Sequence, residues 1–595
     1  MPTLYKKAGF QLGSGTENLY FQGTMSIETN TYDVIVVGSG AGAMLAAARA
    51  HDLGLSVLVV EKSDKYGGTS AVSGGAVWIP NNSQMQIKDS FDEALTYLKA
   101  ATQGLVAEDR LLAYLESAPQ MVEYINANMT LQYFPCHRYP DYYQHLPGAK
   151  PGGRTMEPML FDAALLGDEF ANLRMAYTGT LLMGKASMTA TEAHVMLAKE
   201  PGWMLQVIKS LGRYYLDLPW RLKSRHDRKR GLGNAMAAGL RHALLERKVP
   251  LWLNTPFESL ITEGAENKRV TGIVVKRNGQ TLQLTARRGV VLGAGGFERN
   301  QQMREQYLPK PTNAAWSATP PHNTGDTIRA AMDIGARAEL MDWAWWVPSI
   351  HVPGEAAQTG LFAERNLPGC IVVNGKGQRF INEASPYLEF GAAMYENHAR
   401  SGSAVPAWLI FDGKFRYNYP MGPLMPGQIQ PDRKAWLGKV YWRDDTLEGL
   451  AKQIGVDAAG LKQSVELNNQ YAQDGKDREF DKGGNVFDRY YGDYNVKPNP
   501  CLAPIGKPPY YAMRVDAGDI GTKGGLLTDK DARVLDESDR PIEGLYCIGN
   551  NSASVMGKAY PGAGGTLGPA MTFGFRAANH IAASKYPYDV PDYAG

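Results

Sequence analysis

The stretch that most restricts what this chain can fold into is Tyr32 to Val37 (YDVIVV) running straight into Gly38-Ser39-Gly40-Ala41-Gly42-Ala43. An apolar strand that ends on this pattern fits G-x-G-x-x-G/A: Gly38 permits a tight turn, Gly40 lets the backbone approach a pyrophosphate, and Ala43 lets the following helix pack closely. Ala43 to Leu53 is alanine-rich and reads as that helix, and Leu55 to Val60 (LSVLVV) as a second strand, which completes a βαβ unit. The helix amino terminus presents unpaired N–H groups to the phosphate charge. Glu61 stands at the end of the second strand, where an acid accepts hydrogen bonds from ribose hydroxyls. Glycine spacing alone is a weak signal; strand, helix and acid together make it a dinucleotide site.

Two more apolar strands end in the same way, Gly289 to Leu292 in Gly293-Ala294-Gly295-Gly296 and Gly544 to Ile548 in Gly549-Asn550. Such strands predict one doubly wound sheet whose carboxyl ends converge on a single ligand. If the first and last segments share that sheet, the chain between them is inserted. The aromatic, Pro/Gly-rich stretch 342–511 then reads as a separate cap domain, with the active site between cap and sheet. Residues 155–230 form a further insertion with helical patterning.

The chain of 595 residues is longer than one hydrophobic core serves, and its 44% hydrophobic and 21% charged content is that of an ordinary globular protein. A formal net charge of +2 gives no drive toward nucleic acid, and no nucleic-acid partner is expected. Cys136, Cys370, Cys501 and Cys547 are scattered without CxxC or a Cys/His cluster, so they read as reduced core thiols and no metal site is expected. Residues 1–24 contain LYKKAGF and ENLYFQG, which resemble a cloning scar and a protease tag, and 586–595 resemble an epitope tag. The short polar stretch Met25 to Thr31 is no secretory signal, and the expected location is the cytoplasm.

Directly after Glu61 and Lys62 come Gly67-Gly68-Thr69-Ser70-Ala71-Val72-Ser73-Gly74-Gly75, small residues suited to lie against a pyrophosphate and a flat ring. With Gly293 to Phe297, Asn323-Thr324-Gly325-Asp326 and Gly544 to Asn550, this segment resembles the fumarate reductase/3-ketosteroid dehydrogenase flavoproteins over nearly the whole untagged chain. The resemblance implies an α/β protein: a Rossmann-like doubly wound FAD-binding domain (25–341 and 512–585) with an inserted α+β catalytic, or cap, domain (342–511). It implies FAD held by Gly38 to Ala43, Glu61, Lys62, Gly68, Thr69, Ser70, Ser73, Gly74, Gly75, Ala294, Gly295, Gly296, Asn323, Gly325, Asp326, Gly549, Asn550, Gly565 and Leu567. Some relatives bond flavin to a histidine after the acid; no His lies between Glu61 and Pro80, so attachment is expected to be non-covalent. No second free G-x-G-x-x-G follows a strand, which points away from nicotinamide and toward a quinone-like or dye electron acceptor.

Within this superfamily a few positions resemble the 3-ketosteroid Δ1-dehydrogenase branch. Pro140-Asp141-Tyr142-Tyr143 is similar to its PDYY segment and Asn382 to Tyr387 to its NE-x-x-x-Tyr segment. Tyr560-Pro561-Gly562-Ala563-Gly564-Gly565 is similar to its YPGPGG signature, with Ala563 where Pro is usual. The resemblance implies that Tyr142, Tyr387, Tyr560 and Gly564 react with a 3-ketosteroid. The C2 hydrogens beside a ketone are acidic only if its oxygen can take up charge; the Tyr560 hydroxyl and Gly564 N–H form that oxyanion hole, where one donor is worth about 3 kcal/mol. Tyr387 is the candidate base, Tyr142 its hydrogen-bonding partner, and hydride leaves C1 for flavin N5 in a trans removal.

A fumarate-type reductase would need an arginine where Tyr387 stands and a histidine within Gly521-Thr522-Lys523-Gly524-Gly525, and has neither. A Δ4-(5α)-dehydrogenase would place the double bond at C4–C5, against which Tyr142 and the Tyr560/Gly564 signature argue. A non-catalytic flavin-binding protein would leave the tyrosines free to vary. Trp343, Trp345 and Trp346 read either as lining for a sterol-sized pocket or as plain core. Residues 209–230 (KSLGRYYLDLPWRLKSRHDRKR) interleave basic and aromatic residues, as in a helix lying peripherally on the inner face of the cell membrane; a solvated basic helix packed on its own protein would look similar.

Overall fold

The computed structural model describes residues 30–264 and 268–584; the tags at 1–24 and 586–595 lie outside the described residues. The first strand, Thr31–Val37, pairs in parallel with Val57–Val60 on one side and Gln280–Leu292 on the other. Leu251–Trp252 extends the parallel run beyond Val57–Val60, and Pro541–Cys547 extends it beyond Gln280–Leu292. The register sets Val37 opposite both Val60 and Leu292, and Leu292 opposite Cys547, so the strands from distant parts of the chain finish level with one another. Each is a continuous apolar run because both faces are covered: Val34, Ile35, Val36 and Val37 are all buried. Arg269–Arg277, Phe257–Glu263 and Arg533–Leu535 add antiparallel strands.

Two helices cover one face beside the glycine turn. Ala41–Asp52 buries its alanines against Leu567–Ala583, and a Cβ on Gly42 would lie 2.3 Å from the Ala570 carbonyl oxygen of that second helix. Gly42 is thus a helix-crossing residue, which is why the first turn after Gly40 can lie so near the last helix of the fold.

A second sheet lies between the two halves of the first in sequence. Ala344–Ile350 pairs antiparallel with the long strand Tyr510–Thr522, which pairs in turn with Ala407–Asp412, and that strand with Cys370–Val373. Helix Tyr387–Ser401 crosses Ala344–Ile350 closely, since a Cβ on Gly391 would meet that of Trp346 at 2.4 Å. This contact fixes where Tyr387, the first residue of the helix, stands. Residues 155–230 carry short strands and the helices Ala190–Leu197, Trp203–Tyr215 and Leu218–Arg221. All four cysteines are buried and unbonded. Among the described residues no helix is long and apolar enough to cross a membrane.

Candidate active site

The glycines at the strand ends fall into two kinds. At Gly38, in the left-handed region (φ +102°), a Cβ would sit 2.5 Å from the Gly293 carbonyl oxygen; at Gly75 it would strike the Leu232 carbonyl, and at Gly296 the Thr522 hydroxyl. These residues let the protein pack on itself. At Gly40, Gly68, Gly74 and Gly549 the same position has no neighbour nearer than 3.4 Å. Gly68 lies against Gly40, so these two leave an open shelf beside the amino terminus of Ala41–Asp52, and backbone N–H groups on such a shelf are what a pyrophosphate requires. The residues present therefore fit FAD.

The polar groups around the shelf are held in place by one another. Glu61 is buried, with Oε2 accepting from the Ser39 N–H (3.0 Å) and hydroxyl (2.7 Å) and Oε1 from the Ser63 N–H (2.9 Å). The Ser70 hydroxyl accepts from the Ala41 N–H at 3.1 Å, and Ser73 Oγ donates to the Ser70 carbonyl. Asn323 donates to Thr69 Oγ1 (2.9 Å) and to Glu298 Oε1 (2.6 Å), and packs against the position where Gly295 would carry a Cβ. Lys62 and Asp326 form an ion pair at 2.7 Å, and Gly325 (φ +70°) opens the helix that Asp326 begins. Ala294 N–H donates to Asn551 Oδ1 at 2.6 Å, Asn550 Oδ1 accepts from Trp345 Nε1 at 3.1 Å, and Gly565 N–H closes a turn onto Gly562 before Leu567 starts its helix.

Glu298 and Asn551 are members of this network that the strand-end motifs adjoin without singling out. Glu298 is fully buried; burial chiefly, and the nearby Asp519 charge, push its carboxyl up to about 6. Each follows a glycine segment by one or two residues, which is the signal that could have found it.

The tyrosines meet where the second sheet adjoins the first. Ring centroids of Tyr142 and Tyr560 lie 5.3 Å apart, those of Tyr387 and Tyr560 5.2 Å and those of Tyr142 and Tyr387 5.9 Å. Trp345 packs edge-on against Tyr560 at 4.8 Å and Phe362 against Tyr387 at 5.1 Å. Trp346 is instead packed on Tyr395, so the two buried neighbouring tryptophans divide between the tyrosine cluster and the core behind it.

The two loops that carry this cluster are joined at the Pro561 carbonyl. Tyr142 N–H donates to the Pro561 carbonyl at 2.9 Å, and the Tyr97 hydroxyl donates to the same oxygen at 2.6 Å. Gly564 has φ +94°, and a Cβ there would lie 2.4 Å from the Val77 carbonyl carbon, so only glycine leaves its N–H where it is. The Tyr560 hydroxyl is flanked by this N–H, by the Tyr387 hydroxyl and by Thr566 Oγ1, which donates to it at 3.2 Å.

Burial raises the pKa of Tyr142, Tyr387 and Tyr560. For Tyr560 that keeps the hydroxyl a proton donor. For Tyr387 burial is the largest influence, the Tyr560 group adds to it, and a hydrogen bond with Tyr142 opposes it. Tyr139, hydrogen-bonded to Tyr491 at 2.9 Å, continues the array behind Tyr142.

The chain matches the FAD binding domain family over residues 33–567. It is similar to 3-oxosteroid 1-dehydrogenase of Comamonas testosteroni, at 45% identity over 95% of this chain and 99% of that one. It is also similar to 3-oxosteroid 1-dehydrogenase of Mycobacterium tuberculosis, at 41% identity over 93% and 98%. Among solved structures, 3-ketosteroid-Δ4-(5α)-dehydrogenase of Rhodococcus jostii RHA1 shares the fold, with TM-score 0.62 at 21% identity, covering 94% of this chain and 99% of that one.

Proposed function

As the chain belongs to the 3-oxosteroid 1-dehydrogenases, a family of FAD-binding oxidoreductases, we propose that its buried tyrosine cluster binds the A ring of a 3-ketosteroid and drives removal of the C2 proton. The enzyme carries out FAD-dependent 1,2-dehydrogenation of 3-ketosteroids to 1,4-dien-3-ones. The observation that carries the assignment of roles is the meeting of the Tyr560 hydroxyl and the Gly564 N–H beside the Tyr387 hydroxyl. A phenol and a backbone N–H side by side suit a ketone oxygen gaining negative charge, among tyrosines that are themselves buried. Tyr387 takes the C2 proton, and Tyr142 steadies the phenolate by hydrogen bonding. FAD, when bound, would supply the acceptor for the C1 hydride, held without a covalent link at the shelf of Gly40 and Gly68. A quinone-like or dye molecule would serve as the final electron acceptor.

In this reading residues 25–341 and 512–585 make a Rossmann-like FAD-binding domain and 342–511 the inserted cap. The parallel strands whose carboxyl ends lie level support the first part and the separate antiparallel sheet the second, except that its central strand Tyr510–Thr522 carries the cap past 511 to Thr522.

Anaerobic mixing with androst-4-ene-3,17-dione or cholest-4-en-3-one tests the assignment: flavin absorbance should bleach in one turnover, with a 1,4-dien-3-one as product by mass and NMR. A C4–C5 double bond formed from a 5α-reduced steroid instead would move the reaction to the other bond, and no bleaching with any of these steroids would remove the roles given to the tyrosines.

The 209–230 segment supports a second proposal, peripheral contact of a cytoplasmic enzyme with the inner face of the membrane. Leu205, Ile208, Leu216, Leu218 and Leu222 are exposed by 65% or more, beside Lys209, Lys223 and Arg225. Part of the basic character is spent internally, since Arg228 pairs with Asp217 at 2.9 Å and Arg213 bonds the Ser187 carbonyl. Sedimentation with anionic vesicles should be reversed by high salt or mild detergent; failure to sediment would end this reading.

A further inference from the structure

The main chain at Tyr560 is held by groups to which the reaction assigns no part. Tyr560 N–H donates to the Tyr143 hydroxyl at 2.7 Å, and that hydroxyl donates to Glu389 Oε1. A phenol has one proton, so once it is committed to Glu389 the oxygen lone pairs are left facing the Tyr560 N–H. Glu389 Oε2 is shielded from solvent and has no hydrogen-bonding partner, and burial pushes the carboxyl up to about 7. On the other side of the loop the wholly buried Lys523 donates to the carbonyls of Gly557 (3.0 Å) and Ala559 (2.6 Å), the second directly before Tyr560. Its Nζ lies 3.4 Å from the centre of the Trp345 ring, the ring that packs on Tyr560.

Glu389 belongs to the first turn of the helix that begins with Tyr387. One rigid helix end therefore carries the candidate base and also, through a single phenol, the anchor of the main chain that carries the oxyanion donor. A displacement of about 1 Å at a reacting centre can cost about 10²-fold in rate, so a linkage of this kind has kinetic weight.

We propose that Glu389 is a positioning residue of the reaction: acting through Tyr143, it fixes the Tyr560 hydroxyl and the Gly564 N–H at a set distance from Tyr387. The proposal rests on the reading of Tyr560 and Gly564 as the clamp on the ketone oxygen. What the geometry demands of residue 389 is an acceptor at Oε1. Gln supplies one without charge; Leu, of similar size, supplies none.

The test uses FAD-loaded enzyme, with rates normalised to bound flavin, in single-turnover reduction by androst-4-ene-3,17-dione and in steady state. Glu389→Leu and Tyr143→Phe should each slow flavin reduction about tenfold or more, as expected when a buried group loses its partner, with the loss in kcat and little change in KM. The double variant should be no slower than the slower single one, because both break the same linkage. Glu389→Gln should return to within about threefold of the unaltered enzyme.

Tyr560→Phe serves as the reference. If it is slow while Glu389→Leu and Tyr143→Phe reduce flavin at the normal rate, the positioning role is overturned and the oxyanion reading stands. If Tyr560→Phe is itself unimpaired, both fall. A Gln variant as slow as Leu, or losses that add in the double variant, would also overturn the proposal. Should the Leu variant fail to fold, Tyr143→Phe decides, since it removes one oxygen atom and leaves the packing.

Discussion

Tyr387→Phe should slow flavin reduction by a 3-ketosteroid by roughly 10²–10⁴-fold, the range a positioned acid–base group contributes, while FAD binding and the KM for steroid stay near those of the unaltered enzyme. The ring packs edge-on against Tyr142, Tyr560 and Phe362, and phenylalanine keeps each of these contacts. Only the hydroxyl is lost, and with it the hydrogen-bonding neighbour that the Tyr142 and Tyr560 hydroxyls share. The pH dependence provides an independent check. Burial, the Tyr560 neighbour and the more distant Tyr139 hold the Tyr387 pKa above its ordinary value, and the Tyr142 hydrogen bond recovers part of the shift. A base whose pKa lies above the working range gains in its active, deprotonated form as pH rises, so single-turnover flavin reduction should accelerate toward alkaline pH and Tyr387→Phe should abolish that dependence. Stopped-flow measurement from pH 6 to 9 decides it. A flat profile in the chemical step, or a Phe variant that reduces flavin at the ordinary rate, would remove Tyr387 as the base.

The parts of this molecule legible in its sequence are those where a local pattern carries its own reason. Gly38 needs φ +102° and Gly40 needs no side chain, and the motif Gly38 to Ala43 states both without reference to the rest of the fold. Gly42 is different. It occupies a free position of the motif, yet a Cβ there would strike the Ala570 carbonyl, a contact made with a helix from the opposite end of the chain. Lys62 and Asp326 read as cofactor residues from their motifs, and the fold joins them to each other at 2.7 Å. The same limit explains the tryptophans: adjacent residues on a strand face opposite sides, which sends Trp345 to Tyr560 and Trp346 to Tyr395. Tyr143, Glu389 and Lys523 sit inside or beside segments that the family resemblance marks. Nothing local distinguishes them, because their partnership forms only when loops from separate parts of the chain are brought together.

The second large effect is expected at the oxyanion site. Tyr560→Phe should cost about 10²–10³ in kcat, or roughly 3–4 kcal/mol of transition-state stabilisation, with an equal loss in kcat/KM and little change in KM. The argument follows from when the charge appears. A ketone in the ground state is a modest hydrogen-bond acceptor, whereas the enolate oxygen left after proton removal carries most of a negative charge, so a donor aimed at it acts chiefly in the transition state. Burial raises the Tyr560 pKa, which keeps its proton available for donation, and Thr566 Oγ1 donates to the phenol oxygen at 3.2 Å, which leaves the phenol proton free to point elsewhere. The Gly564 N–H remains in the Phe variant, so activity should fall without vanishing. That backbone donor cannot be probed by a side-chain change, since any Cβ at Gly564 would collide with Val77 and Trp78. Comparing single-turnover rates with a 3-ketosteroid at saturation separates the outcomes. A loss confined to KM would make Tyr560 a group that binds ketone and enolate alike, and no loss at all would place the ketone oxygen somewhere other than between Tyr560 and Gly564.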